Sequence, residues 1–173
     1  MDLLGILSDT HGRTDRARRA IDALLAAGAT RIVHLGDVGS ESVLDLLAGL
    51  PALVVFGNCD DERALARYAD HLGIEVAHPA TIIEVKSTSR ADGGAIRLGL
   101  THGHLEGEVA RLLDARVDVL LHGHTHAVRD EQCGPTRILN PGALHRAIRH
   151  TALLLDTATL EARWIDVDDE TAA

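Results

Sequence analysis

Where an apolar run ends at HGHTH, three histidines stand at alternate positions: His122, His124 and His126. The whole chain has eleven histidines, so this is a concentrated use of imidazole. The same punctuation recurs elsewhere. SDTHG carries Asp9 and His11, HLGDVG carries Asp37, FGNCDD carries Asn58 and Asp60, and THGH carries His102 and His104. Each block follows a short apolar run that reads as a strand. Each also contains glycine, which lets backbone turn sharply and approach a ligand closely. In open α/β sheets, sites form outside the carboxyl ends of strands, so blocks far apart in sequence can converge there.

The candidate ligand set is Asp9, His11, Asp37, Asn58, His102, His124 and His126. Two carboxylates, one amide and four imidazoles overfill one tetrahedral site and suit two divalent ions that share a carboxylate. Two such ions against two carboxylates leave a positive site, and a bridging hydroxide lowers that charge by one. The site would attract a phosphate anion although the chain as a whole is acidic. Ions about 3.5–4 Å apart can hold both the attacking and the leaving oxygen of an in-line displacement. A purely structural zinc site leaves Asp9, Asp37 and Asn58 at other strand ends unexplained, and closed zinc sites usually employ cysteine.

The elements that must position these residues follow from periodicity. Strands are expected at 3–7, 31–35, 52–56, 81–85, 95–101, 117–121, 128–132, 136–139, 151–156 and 160–167. Thr14 can cap a first helix that turns Ala17, Ala20, Ile21, Leu24 and Leu25 inward, with Gly28 just past its end. Ser40 or Ser42 can cap a second, with Val43, Leu46, Leu47 and Leu50 inward and Gly49 and Pro51 ending it. Further helices fit 62–71 and 106–115. The first third alternates strand and helix, which predicts parallel strands with right-handed crossovers. The runs at 81–85 and 95–101 flank a polar stretch, 87–94, and predict a hairpin with a long connection. The tail from 168 to 173 is expected to fray.

Composition limits the alternatives. A chain of 173 residues with 46 % apolar and 25 % charged residues suits one soluble domain with a real core. No apolar run approaches a bilayer's thickness, and the N-terminus lacks the basic region of a signal peptide, so cytoplasm is the expected location. Cys59 and Cys133 form no CxxC pair and read as reduced thiols. A net charge of −9 and 2 % aromatic residues argue against extended nucleic-acid binding. Basic charge is almost all arginine, Lys86 being the one lysine.

Taken in order, SDTHG, GD, GNCD, THGH, GHTH and NPG resemble the calcineurin-like metallophosphoesterases. The nearest resemblance is to the small single-domain bacterial and archaeal phosphodiesterases of the YfcE-like branch, and it covers residues 3–167. It implies an α/β fold, a four-layer αββα sandwich of two mixed sheets flanked by helices. It implies that Asp9, His11 and His126 bind one metal, that Asn58, His102 and His124 bind a second, and that Asp37 bridges them. A hydroxide held by the dinuclear centre would then attack phosphorus in a phosphate-ester small molecule. Manganese is the first expectation by the same resemblance; iron, cobalt, nickel or zinc also suit mixed oxygen and nitrogen donors. A homodimer is compatible with a small α/β enzyme.

Two positions depart from the family pattern. Cys59 stands where many relatives have a histidine that protonates the leaving oxygen and is oriented by the following acid. Asp60 is present, but its imidazole partner is not, and a thiol is a poorer general acid near neutral pH. This favours diesters over monoesters. Cys59 itself reads as a small residue filling space beside the metals rather than a nucleophile. Ala143 stands where NPGS would place serine, so only the loop shape is expected to persist.

The remaining polar residues carry weaker signals. His122 and His34 read as packed imidazoles. His104 suits contact with substrate or orientation of His102, and equally a solvent-facing loop. Arg13 could reach a phosphate, yet it falls with Arg16 and Arg19 on the polar side of the first helix, a face usually solvated. His71, His78, His145 and His150 show no ligand spacing. Three functions follow: a phosphodiesterase, a phosphomonoesterase on the same site, or a retromer-type interaction scaffold. The complete ligand set favours an enzyme.

Overall fold

The computed structural model describes residues 3–86 and 94–168. Of the expected polar connection only Gly94, and of the expected frayed tail only Asp168, fall within that range. In chain order the elements are β1 (Leu3–Leu7), α1 (Thr14–Ala26), β2 (Arg31–Leu35), α2 (Glu41–Asp45), β3 (Ala52–Val55), α3 (Glu62–His71), β4 (Glu75–Val76), β5 (Ala80–Lys86), β6 (Ala95–Thr101), α4 (Glu106–Asp114), β7 (Val119–Leu121), β8 (Arg129–Cys133), β9 (Thr136–Asn140), β10 (Thr151–Asp156) and β11 (Ala162–Asp166).

The strands form two mixed sheets, ordered β11-β10-β1-β2-β3-β4 and β5-β6-β7-β9-β8. Strands β1 to β4 run parallel, and β10 is antiparallel to β1. In the second sheet β6, β7 and β9 are parallel, with antiparallel β5 and β8 at the edges. The expected hairpin is the β5–β6 pair.

Strand alternation assigns the layers. Leu4 and Ile6 of β1, Val33 and Leu35 of β2, and Leu153 and Leu155 of β10 pack against Leu98, Leu100, Val119, Leu121 and Leu139 of the other sheet. The opposite face of the first sheet, with Leu7, Ile32 and Val54, packs against Ala17, Ala20, Ile21 and Leu24 of α1 and Leu65 and Ala69 of α3. Leu112 of α4 covers Leu120 and Ile138 on the outer face of the second sheet. The result is helix, sheet, sheet, helix. Each fully buried aliphatic side chain contributes about 1.5–3 kcal/mol, so the inter-sheet core is the main term holding the two halves together.

Several boundaries differ from the periodicity reading. Helix α2 ends at Asp45, because Leu46, Leu47, Ala48 and Leu50 each donate to a carbonyl three residues back and tighten into turns. Leu47 is still buried there, while Leu46 and Leu50 are half-buried. Leu25 of α1 is 38 % exposed rather than inward. Arg13, not Thr14, holds the N-cap position of α1, and no side chain caps that end. Strand β7 begins at Val119, since Val117 turns toward α4. The two-residue β4 carries no periodic signal. Among the described residues no helix is long and apolar enough to cross a membrane.

Candidate metal centre

The carboxyl ends of β1, β2 and β3 deliver Asp9, His11, Asp37 and Asn58; those of β6 and β7 deliver His102, His124 and His126. Backbone hydrogen bonds lace these loops together. Asp9 N–H donates to Gly36 O at 2.9 Å, His11 N–H to Asp37 O at 2.8 Å, and Gly123 N–H to His102 O at 3.0 Å. The two sheets are joined directly where His124 N–H donates to Asp9 Oδ2 at 3.1 Å.

Five of the seven expected ligands hold a left-handed backbone: Asp9 at φ 54°, His11 at 44°, Asp37 at 53°, His124 at 66° and His126 at 57°. That conformation costs roughly 1–2 kcal/mol per non-glycine residue. Among the described residues only three other non-glycine positions share it, Arg116, Arg146 and Leu160. Strain concentrated on one constellation persists because surrounding contacts over-determine it, a pattern that clusters at functional sites. Gly123 shows how tight the approach is. A Cβ there would lie 1.9 Å from Ser8 Oγ and 2.8 Å from Asp9 Oδ2.

The side chains converge. His126 Nε2 lies 3.2 Å from Asp9 Oδ1, His11 Nε2 lies 3.4 Å from Asp37 Oδ2, and His102 Nε2 lies 3.5 Å from Asp37 Oδ1. Donor atoms of Asp9, His11 and His126 fall within 4.8 Å of one another, and so do those of Asp9, Asp37 and His102. The imidazoles pair likewise: His11 and His126 rings are 5.4 Å apart, and His102 and His124 rings 5.2 Å. Asn58 stands on the open side, its amide nitrogen 3.4 Å from Cys59 Sγ.

Electrostatics prepare the pocket for cations. Burial alone would raise the Asp37 carboxyl. The His102 imidazole beside it and a hydrogen bond from Cys59 N–H outweigh this and hold the group well below the usual carboxylate range. Burial raises Asp9, which is completely enclosed. Burial would lower His102, but Asp37 and Asp9 raise it. His102 Nδ1 donates to Leu35 O at 2.7 Å, which fixes the tautomer and turns Nε2 toward the carboxylates. Asp9 Oδ1, His11 Nε2 and His102 Nε2 are buried with no hydrogen-bond partner. Three unpartnered donors in one pocket, two of them imidazole nitrogens beside carboxylate oxygens, fit divalent ions.

Residues 2–160 match the calcineurin-like phosphoesterase superfamily domain. The chain belongs to this superfamily. It is therefore a metallophosphoesterase. It is 28 % identical to a phosphodiesterase of Methanocaldococcus jannaschii over 143 residues, 80 % of this chain and 82 % of that one. It is 31 % identical to phosphodiesterase YfcE of Escherichia coli over 152 residues, 79 % and 76 % of the two chains. A solved archaeal phosphodiesterase matches with a TM-score of 0.77 and 26 % identity, over 95 % of this chain and 99 % of that one. A zinc complex of Vps29 from Entamoeba histolytica shares the fold, with a TM-score of 0.60 at 19 % identity over 96 % and 99 % of the chains.

The other expected site residues of this phosphoesterase fall in distinct surroundings. Asp60 accepts from the backbone N–H groups of Val38, Gly39 and Gly57 at 3.1, 2.8 and 2.9 Å, tying the Asp37 loop to the Asn58 loop. Cys59 is exposed. Burial, then a hydrogen bond to Asp37, raises its thiol and disfavours the thiolate. His104 lies on the His102 side, ring centroids 5.3 Å apart, with Nδ1 buried and unpartnered.

His122 is packed: its Nδ1 donates to Gly123 O at 2.9 Å. His34 is enclosed, accepting from Gly36 N–H at Nδ1 and donating from Nε2 to the Thr10 hydroxyl, which in turn donates to Val38 O. Burial holds its pKa at about 3. Sequence reasoning took the NPG loop only as a shape. Asn140 in fact anchors the histidine turn, its amide donating to Gly123 O at 2.9 Å and Thr125 Oγ1 at 3.1 Å. Ala143 is fully buried, where a hydroxyl would need a partner.

Proposed function

We propose that this phosphoesterase hydrolyses small-molecule phosphodiesters by in-line displacement at phosphorus, using two divalent ions. Asp9, His11 and His126 would hold one ion and Asn58, His102 and His124 the other, with Asp37 shared. The observation that carries the reading is the trio of buried, unpartnered atoms Asp9 Oδ1, His11 Nε2 and His102 Nε2 beside a carboxylate held ionised. When bound, such ions supply Lewis acidity toward phosphoryl oxygens and lower the pKa of water. Manganese is the metal we infer first, and cytoplasm the compartment.

The protein's own groups do the positioning. Leu35 O fixes the His102 ring, Asn140 fixes the turn bearing His124 and His126, and Asp60 fixes the loops bearing Asp37 and Asn58. His104 flanks the site and is assigned substrate contact. The Cys59 thiol stands where an imidazole would assist a poor leaving group. Relatives named phosphodiesterases at 28 % and 31 % identity support the diester preference. Vps29-like neighbours support a scaffold reading only at the level of fold, and the full donor set favours catalysis.

The test uses metal-stripped protein with bis-p-nitrophenyl phosphate and p-nitrophenyl phosphate, with Mn²⁺ added back and an EDTA control. Metal-dependent cleavage favouring the diester is expected. Preference for the monoester would establish a phosphomonoesterase instead. Inactivity on both esters across several metals would move the reading to a scaffold.

A further inference from the structure

The two sides of the centre differ in charge. On the side of His102 and His124 stand His104 and, nearby, the His78–Glu62 pair. On the side of His11 stand a histidine and two arginines. The His145 ring lies 5.1 Å from the His11 ring, although 134 positions separate them in the sequence. Arg13 Nε donates to His145 Nδ1 at 3.4 Å. Arg16 Nη1 donates to Leu144 O at 3.2 Å and so pins the loop that presents His145. Arg146 follows in a left-handed conformation, φ 49°, and its charge acts on the same imidazole.

Arg13 and Arg146 meet no carboxylate among the described residues. Several other arginines share this, Arg18, Arg63 and Arg67 among them, so what distinguishes Arg13 is its place beside His145 and His11. It is exposed, as expected, but it is the N-cap residue of α1 and its Nε is turned onto His145. A guanidinium whose Nε is engaged still presents two terminal nitrogens, the fork that suits phosphate or carboxylate. A single arginine on a flexible stem would lose rotamer entropy on binding. One already held by His145 loses less.

We propose that Arg13, positioned by His145, binds a second anionic group of the substrate, so that the preferred substrates are phosphodiesters carrying an additional terminal phosphate. This rests on the phosphodiesterase reading above. Arg13 is a specificity residue, and His145 acts through it. Arg146 adds to the local positive potential.

Two chromogenic diesters that differ in one group make the test. Thymidine 5′-(p-nitrophenyl phosphate) carries the diester alone; its 3′-phosphate derivative adds the terminal phosphate. With Mn²⁺ added, the ratio of kcat/KM for the two is measured at low ionic strength. Wild type favours the 3′-phosphorylated ester, mainly through KM. Arg13→Gln lowers that ratio about 10-fold, as loss of one charge-assisted contact would. His145→Ala lowers it too, while His145→Asn, which keeps an acceptor for Arg13 Nε, restores much of it. Arg18→Gln, on the exposed face of α1, leaves the ratio unchanged. Cleavage of both esters with no wild-type preference, or a ratio that Arg13→Gln does not move, overturns the inference. Cleavage of neither ester overturns the phosphodiesterase reading instead.

Discussion

His102 Nε2 lies 3.5 Å from Asp37 Oδ1, while Nδ1 of the same ring gives its proton to Leu35 O at 2.7 Å. The ring is thereby fixed with one nitrogen against a buried carboxylate. That nitrogen and that oxygen need a positive charge beside them, a proton or a metal ion. Asp37 also faces His11 on its other oxygen, at 3.4 Å, so one carboxylate spans both halves of the donor set.

Asp37→Asn keeps the shape and removes the charge. Turnover should fall by at least about 100-fold, and the protein should bind less than two ions per chain. Metal analysis after dialysis checks the second point. Near-normal activity with two tightly held ions would remove Asp37 from the bridging position.

Asp60 acts on backbone. Asp60→Ala leaves three N–H groups without their acceptor and should cost about 1–3 kcal/mol of stability together with metal affinity. Asp60→Asn keeps an acceptor oxygen and should lie between. If Asp60 instead served as a proton donor, Asp60→Asn would reshape the pH–rate profile; the positioning role predicts an unshifted profile.

Gly123→Ala forces a methyl to within 1.9 Å of Ser8 Oγ and 2.8 Å of Asp9 Oδ2. Overpacking of this kind costs about 1–3 kcal/mol. A Tm lower by about 2–10 °C is expected in a chain of this size, with weaker metal binding. Gly49→Ala is the comparison, because nothing lies within 4 Å of its Cβ. It should lower Tm modestly through its φ of 77° and leave metal affinity intact.

His34 makes the metal-free protein acid-sensitive. Its folded pKa, about 3, lies below the ordinary 6.5, so the unfolded chain takes up a proton that the folded chain refuses. The stability it contributes is present above pH 6.5 and is lost progressively as pH falls toward 3, by as much as about 5 kcal/mol. Denaturant midpoints measured in EDTA across this window should fall less steeply for His34→Gln than for wild type. Parallel slopes would reject the assignment.

Much of the candidate site was readable because its ligands sit in punctuated blocks at strand ends, where residue type and spacing carry the chemistry. Apolar runs also located β1, β2, β6 and β10 to the residue, since polar residues or turns bound each of them. Other features lie beyond local pattern. The left-handed backbone of Asp9 and Asp37 belongs to residues with no sequence signature for it. Strand β4 is too short for a period to develop, and the apolar spacing that marked α2 runs on to Leu50 although the helix gives way to turns after Asp45. The neighbours His11 and His145, and Asn140 with Gly123, meet only through tertiary folding.

The central claim is that two divalent ions in this donor set drive phosphodiester hydrolysis. The most direct measurement titrates metal-stripped protein with Mn²⁺ while following both bound metal and cleavage of bis-p-nitrophenyl phosphate. Activity that climbs to a plateau at two ions per chain, and disappears with EDTA, is the predicted result. Cleavage that persists without metal, or that is complete at one ion, would contradict it.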